Sequence, residues 1–233
     1  MNIIITGASR GIGKAVAEIF AANGYNLYLS SKNASALYKT MEELLANYPS
    51  ATIKAKPFDL SKKENAIELG NWILSLGISI DVLFNNAGSF EAGSVYNEPD
   101  GALENQIETN LYSAYHLTRI VLPRMMEQKN GHIFNMCSVA SIQAYKNGGA
   151  YSISKFALHG FSKNLREEMK PYNIKVTSVT AGAAYTDSWA TSGIDKKRFM
   201  EAEDIAKMIY TASQLSPQAC VEEILMRPQL GDI

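Results

Sequence analysis

Short apolar runs alternate with segments of helical period from one end of this chain to the other, the pattern that repeated βα units around a parallel sheet require. Seven strands can be read, at 2–6, 25–30, 52–58, 81–85, 132–137, 175–180 and 221–226. The segment 13–23 places Val16, Ile19 and Phe20 at helical spacing and stops at Gly24, a residue suited to the left-handed position that ends a helix. After Asn33, Leu37, Met41, Leu44 and Leu45 fall on one helical face. Ser61-Lys62-Lys63-Glu64 reads as a capping box, with Ser61 as N-cap and Glu64 at the third helical position. Longer helices are expected over about 103–127, kinked at Pro123, and over about 150–170. These readings predict an α/β chain, doubly wound, with a seven-stranded parallel sheet and helices on both faces.

No repeat, low-complexity run or linker divides the 233 residues, so one domain over 1–233 is expected. The most irregular stretch, 182–197, contains Gly182, Thr191, Ser192 and Gly193 among aromatic residues. A loop of that length predicts a flap over a pocket, at about 182–200. With 22 Lys+Arg against 23 Asp+Glu the net charge is −1, which excludes a nucleic-acid-coating role, so any anionic ligand must be held locally. Cys137 and Cys220 form no CxxC or Cys/His spacing, and His116, His132 and His159 are scattered; neither a disulfide framework nor a metal site is expected. The opening residues carry no cationic leader, and no stretch approaches the roughly 18 apolar residues of a membrane span, which together predict a cytoplasmic protein without a membrane partner.

The first strand runs straight into Thr6-Gly7-Ala8-Ser9-Arg10-Gly11-Ile12-Gly13 and then a helix. Glycines at such a turn let backbone approach a pyrophosphate, and the helix N-terminus adds unpaired N–H groups and positive dipole. A dinucleotide site is therefore expected on Gly7, Ser9, Arg10, Gly11, Ile12 and Gly13. An acidic residue about 20 positions on would bind a ribose 2′-hydroxyl. No Asp or Glu occurs from Ala21 to Met41; the expected place reads Ser30-Ser31-Lys32-Asn33. Lys32 with Arg10 can pair with a 2′-phosphate and Ser31 can donate to it, so NADP(H) is the expected cofactor.

Tyr151 and Lys155 lie four residues apart at the start of an expected helix and so share a face. An ammonium beside a phenol favours phenolate, which predicts a Tyr151 pKa lowered from about 10. Tyr28 and Lys32 have the same spacing on a strand, where four residues span about 13 Å, too far for the same coupling. Ser138 falls at the carboxyl end of the fifth strand, where open α/β sheets bind ligands, and can hold a carbonyl oxygen. Asn85-Asn86-Ala87-Gly88 ends the fourth strand in the same crevice: small residues there admit a flat ring, and the Asn side chains fasten backbone.

With these residues in place the sequence resembles the classical short-chain dehydrogenase/reductase family over nearly its whole length. Thr6–Gly13 is similar to the family's glycine motif, Asp59-Leu60 to its adenine-contacting pair and Asn85–Gly88 to its sheet-stabilising motif; Asn110, Ser138, Tyr151 and Lys155 match its catalytic tetrad in order and spacing. The resemblance implies a Rossmann-type domain. It implies Tyr151 as general acid/base, Ser138 as carbonyl-orienting donor, Lys155 on the nicotinamide ribose and Asn110 on a proton-relay water. It further implies that Asn86, Ala87, Gly88 and Gly182 contact the cofactor and Thr186 its nicotinamide carboxamide, and that the helices at 103–127 and 150–170 pair copies into a homodimer or homotetramer. Ala181-Gly182 departs from the family's Pro-Gly, which predicts a looser turn. The ending at 222–229 lacks the double glycine common in acyl-carrier-protein ketoreductases and looks more like those of hydroxy-acid and general carbonyl reductases.

The reading is an NADPH-dependent reductase of a small ketone or aldehyde, reversible on the corresponding secondary alcohol or hydroxy acid. A sensor that binds NADP(H) without turnover is the alternative, disfavoured because it has no need of the Tyr151/Lys155 pair. Tyr145, Tyr185 and Trp189 either line a partly apolar pocket or pack the flap; Glu91, Glu98 and Asp187 are either rim charges or substrate contacts. Cys137 reads as a small apolar strand residue.

Overall fold

The computed structural model describes residues 1–186, 189 and 193–233. Ile3, Ile4 and Ile5 in β1 (Asn2–Thr6) are all fully buried although successive strand residues point to opposite faces, so this strand must have a core on either side. It does. One face packs Val16 and Phe20 of α1 (Gly11–Ala22), Leu37 and Leu44 of α2 (Ala34–Asn47), and Ile205 and Ile209 of α7 (Ala202–Ser213) over Ile3, Ile5, Leu27 and Leu29. The other packs Leu69 and Ile73 of α3 (Lys63–Ser75), Leu117 and Val121 of α5 (Ser113–Gln128), and Leu165 of α6 (Gly149–Met169) over Ile4, Leu83 and Ile133.

The strands β2 (Asn26–Ser30), β3 (Ile53–Ala55), β4 (Val82–Asn85), β5 (Gly131–Met136), β6 (Ile174–Ala181) and β7 (Glu223–Met226) join β1 in one sheet of order β3-β2-β1-β4-β5-β6-β7, every pairing parallel. Winding runs outward through β2 and β3 on one side of β1 and through β4 to β7 on the other. The reversal leaves a crevice between the carboxyl ends of β1 and β4, the place where such sheets bind ligands. Gly24 takes φ +78° immediately after α1, as its sequence position predicts. Among the described residues no helix is long and apolar enough to cross a membrane.

Local expectations are corrected at several points. Ser61 is not a helix N-cap: α3 starts at Lys63 behind Lys62, because the Ser61 hydroxyl and amide both serve the Asp59 carboxylate, at 2.7 and 3.2 Å. The third strand is shorter than 52–58, since Pro57 has no N–H to donate, although the Lys56 and Phe58 amides still bond to Leu29 and Ser31 carbonyls. The long helix at 103–127 is interrupted upstream of Pro123: α4 (Ala102–Ile107) leads into a π-helical turn, Glu108–Tyr112, while α5 runs unbroken through Pro123. The helix α7 is additional to those expected, although its Ile205, Ala206, Ile209 and Ala212 carry helical spacing.

Candidate active site

The turn after β1 is shaped by what it cannot accommodate. Gly7 and Gly11 have φ of +64° and +52°, and a Cβ on Gly13 would sit 2.3 Å from the Gly7 carbonyl oxygen and 2.6 Å from Asn86 Nδ2. The helix therefore seats directly on the turn. Its N-cap, Arg10, offers no side-chain capping bond to the first turn of α1. The β4 end is stitched alongside. Thr6 Oγ1 accepts from the Asn86 and Ala87 amides, each at 2.9 Å, and Asn86 Nδ2 donates to the Thr6 and Gly7 carbonyls. Asn86 thus fastens backbone as expected, whereas Asn85 Nδ2 donates to two side chains instead, Thr118 Oγ1 and Asn135 Oδ1.

A cleft of about 1170 Å³ opens over this turn. Every site residue read from the sequence lines it except Gly13 and Asn110, which lie behind the wall. At one end Ser9 and Ser31 hydroxyls meet at 2.9 Å. Lys32, three-quarters exposed, holds Asp59 Oδ2 at 2.9 Å, so its ammonium already has a protein partner there. Burial would raise the Asp59 carboxyl, but the Ser61 and Lys32 hydrogen bonds outweigh it and hold the group below its ordinary range.

At the other end Tyr151 is the third residue of α6, and Lys155 follows one turn later. The Lys155 ammonium is buried, donates to the Met136 carbonyl at 2.8 Å, and lies 5.8 Å from the centre of the Tyr151 ring. Ser138 starts the 3₁₀ turn Val139–Ser141, its Oγ accepting from Ala140 N at 3.2 Å, and its hydroxyl lies near enough to the Tyr151 phenol to draw that group's pKa down. The expected lowering of the Tyr151 pKa is overturned. Burial pushes the phenol up to about 12, more than the Ser138 hydroxyl brings it down, and burial brings Lys155 down to about 8. At neutral pH the phenol carries its proton, the form that can donate to a carbonyl oxygen.

Asn110 sits on the π-helical turn, a distortion that recurs at functional sites. Its Oδ1 accepts from Ser89 N at 2.9 Å, and its Nδ2 reaches Gln106 Oε1, Ser154 Oγ and Ser89 O at 2.8, 3.0 and 3.1 Å. The side chain is thus saturated by protein, and its amide is bonded to the loop after β4 rather than turned to the cleft.

Comparison with known proteins gives the family and the fold. A family model described as short chain dehydrogenase matches residues 1–197. The chain belongs to the short-chain dehydrogenase family. A relative named sepiapterin reductase, from Chlorobaculum tepidum, is 32% identical over 99% of this chain and 97% of its own length. An alcohol dehydrogenase from Thermococcus sibiricus, solved complexed with 5-hydroxy-NADP, superposes with a TM-score of 0.89 at 25% identity, covering 98% of this chain and 96% of that one. A metagenomic short-chain oxidoreductase in complex with NADP gives 0.85 at 27%, covering 98% and 97%.

Within the short-chain dehydrogenase frame, several features of this member were not found by motif. Phe90, half-exposed, meets the Tyr151 ring edge-on with centroids 4.9 Å apart and lies nearly parallel to Trp189 at 6.4 Å. Trp189 continues to Phe199 and Phe199 to Tyr185, so of the expected pocket aromatics Trp189 and Tyr145 line the cleft while Tyr185 backs Phe199. Gln143, Arg227 and Asp232 line it too; Arg227 pairs with Asp232 and donates to Gln143 Oε1 at 3.3 Å. Arg227 follows β7 directly, and the strand-end rule that found Ser138 would have found it. The Ala181-Gly182 turn is braced: the Gly182 amide donates to Met226 O at 2.8 Å, and a Cβ there would meet Pro228 Cδ at 3.1 Å. Glu91 lines the cleft; Glu98 instead turns to the start of α6. Asp187, Thr191 and Ser192 lie outside the described residues. Cys137 is buried, and burial pushes its thiol up.

Proposed function

We propose that this chain is an NADPH-dependent reductase of a carbonyl group, and that the best substrates are planar, conjugated ketones or aldehydes. One observation carries the reading: Tyr151, Ser138 and Lys155 converge in the cleft floored by the glycine turn. Gly7 and Gly11 leave the backbone bare where a pyrophosphate would lie, Gly13 seats α1 against the turn behind them, and Ser9, Arg10, Ser31 and Lys32 would hold a 2′-phosphate, with Asp59 and Leu60 available to the adenine. The absence of acidic residues between Ala21 and Met41 supports NADP(H) over NAD(H), as do the NADP-bound structural relatives. Asn86, Ala87, Gly88, Gly182 and Thr186 would line the nicotinamide half. When bound, the cofactor supplies the hydride.

The chain's own part is position and proton. Ser138 Oγ orients the substrate carbonyl, and Tyr151, kept neutral by burial, gives its proton to the carbonyl oxygen as charge develops there. Lys155, tied to Met136 O, keeps a positive charge one helical turn away, and its remaining N–H groups would hold the cofactor's ribose. Asn110 fixes Ser89 and so the loop over the site. The edge-on and near-parallel rings of Phe90 and Trp189 favour a flat apolar substrate body, and the name of the Chlorobaculum relative points the same way.

Loss of NADPH absorbance with conjugated aromatic ketones, quinones, sepiapterin, β-keto esters and aliphatic aldehydes tests the reading. The flat conjugated carbonyls should turn over fastest. NADPH binding without turnover of any of them would give the chain to the sensor class instead. We further propose that 1–233 works as one domain with a flap at about 182–200, in the cytoplasm. Copies pair through the apolar groove of Tyr112, Tyr115, Leu122 and Phe161 on the 103–127 and 150–170 helices, which light scattering would report as a dimer or tetramer.

A further inference from the structure

We infer that Glu98, 52 residues before Ala150 in the chain, is a positioning residue for the reaction: its carboxylate clamps the loop after β4 onto the first turn of α6 and so fixes Phe90 against Tyr151. The inference rests on the reductase reading above for its kinetic consequences, and on the hydrogen bonds for its structural ones.

The first turn of a helix leaves N–H groups without intrahelical partners, and the N-cap of α6, Gly148, has no side chain to supply one. Glu98 Oε2 accepts from the Ala150 amide at 3.1 Å, one residue before Tyr151. Two more bonds join the same surfaces: Gly93 N donates to Asn147 O at 3.1 Å and Ser94 Oγ to Asn147 Oδ1 at 2.7 Å. The contact is close enough to forbid a side chain. Gly149 has φ +31°, and a Cβ there would lie 2.5 Å from both Glu98 Oε2 and the Gly93 carbonyl oxygen. Between β4 and this clamp the loop carries Phe90, whose ring touches Tyr151 at 4.9 Å. Catalytic phenol and substrate-facing ring are therefore held by one tie, and small misplacements of reacting groups cost large factors in rate.

Glu98→Ala and Glu98→Gln, in the full chain, separate the possibilities, because glutamine keeps an acceptor oxygen and loses the charge. Hydrogen exchange of the peptide spanning Gly148 to Tyr151 should accelerate in Glu98→Ala and return close to wild type in Glu98→Gln. With a conjugated ketone and saturating NADPH, kcat should fall about ten-fold in Glu98→Ala, with the isotope effect from 4-deuterated NADPH enlarged, NADPH affinity unchanged and glutamine rescuing most of the rate. Gly149→Ala, which pushes the loop off by a different route, should give the Glu98→Ala pattern. Unchanged exchange in Glu98→Ala overturns the clamp whether or not any substrate turns over. Accelerated exchange with wild-type kcat, a kcat loss that only follows a loss of NADPH affinity, or a glutamine variant as impaired as alanine overturns its role in the reaction. Inert wild type with the exchange result intact would instead strike the reductase reading and leave the clamp standing.

Discussion

The two ends of the cleft are built on opposite principles. At the phosphate end the shape is backbone: glycines with positive φ, a helix start without a side-chain cap, and an exposed lysine parked on Asp59. At the catalytic end the shape is side chain: Asn110, Ser138 and Lys155 are buried and bonded to named protein partners, and burial rather than a neighbouring charge sets the titration of Tyr151 and Lys155. An end that binds a mobile, heavily solvated anion can leave its charges in water. An end that must deliver one proton to one atom holds its groups still.

Substitutions at each end should break differently. Tyr151→Phe removes the proton donor and little else, so turnover should drop by about 10²–10⁴ while NADPH affinity, read by fluorescence, barely moves. An equal loss of both would mean that the catalytic end is not separable from the binding end. Lys32→Asp should collapse the preference for NADPH over NADH by about ten-fold or more without changing the rate at saturation, since it reverses a charge beside the 2′-phosphate position; an unchanged ratio would remove Lys32 from that role. Gly13→Ala forces a Cβ against the Gly7 carbonyl, and overpacking of that kind costs about 1–3 kcal/mol, measurable as a lowered Tm together with weakened NADPH binding.

His132 tests the claim that burial governs titration, away from either end. Its Nε2 meets Thr177 Oγ1 at 2.7 Å, that hydroxyl donates to Val221 O, and burial brings the ring down to about 3. The folded value lies below the unfolded value of about 6.5, so its contribution to stability is full above that pH and is lost progressively as pH falls towards 3. Denaturant unfolding between pH 7 and 4 should show this slope, and His132→Gln should flatten it. The smallest effect is expected from Asp59→Asn. Freeing Lys32 from a largely exposed ion pair worth about 0.2–1 kcal/mol should raise the NADPH to NADH affinity ratio by up to about five-fold.

The same contrast decides what could be read in advance. The glycine turn, the strand ends and the Tyr151/Lys155 spacing were legible because they are local: each is a short pattern whose physical meaning depends only on the element carrying it. Strands such as β1 were legible because burial on both faces demands an unbroken apolar run. Ser61 misled because the capping box competes with Asp59, two residues upstream, for the same hydroxyl. Glu98, Phe90 and the saturation of Asn110 were hidden because each depends on partners brought together only by the fold. The direction of the Tyr151 shift was hidden for the same reason, since spacing gives the neighbour but not the depth.

The crevice between β1 and β4 owes its existence to connectivity alone: the sheet turns its winding there, and no helix can cover both sides of the turn. A hollow made in this way asks no sacrifice of the hydrophobic interior. The loops that rim it, from the segment bearing Phe90 to the residues after β7, are free to be rewritten for another substrate while both cores beneath stay as they are.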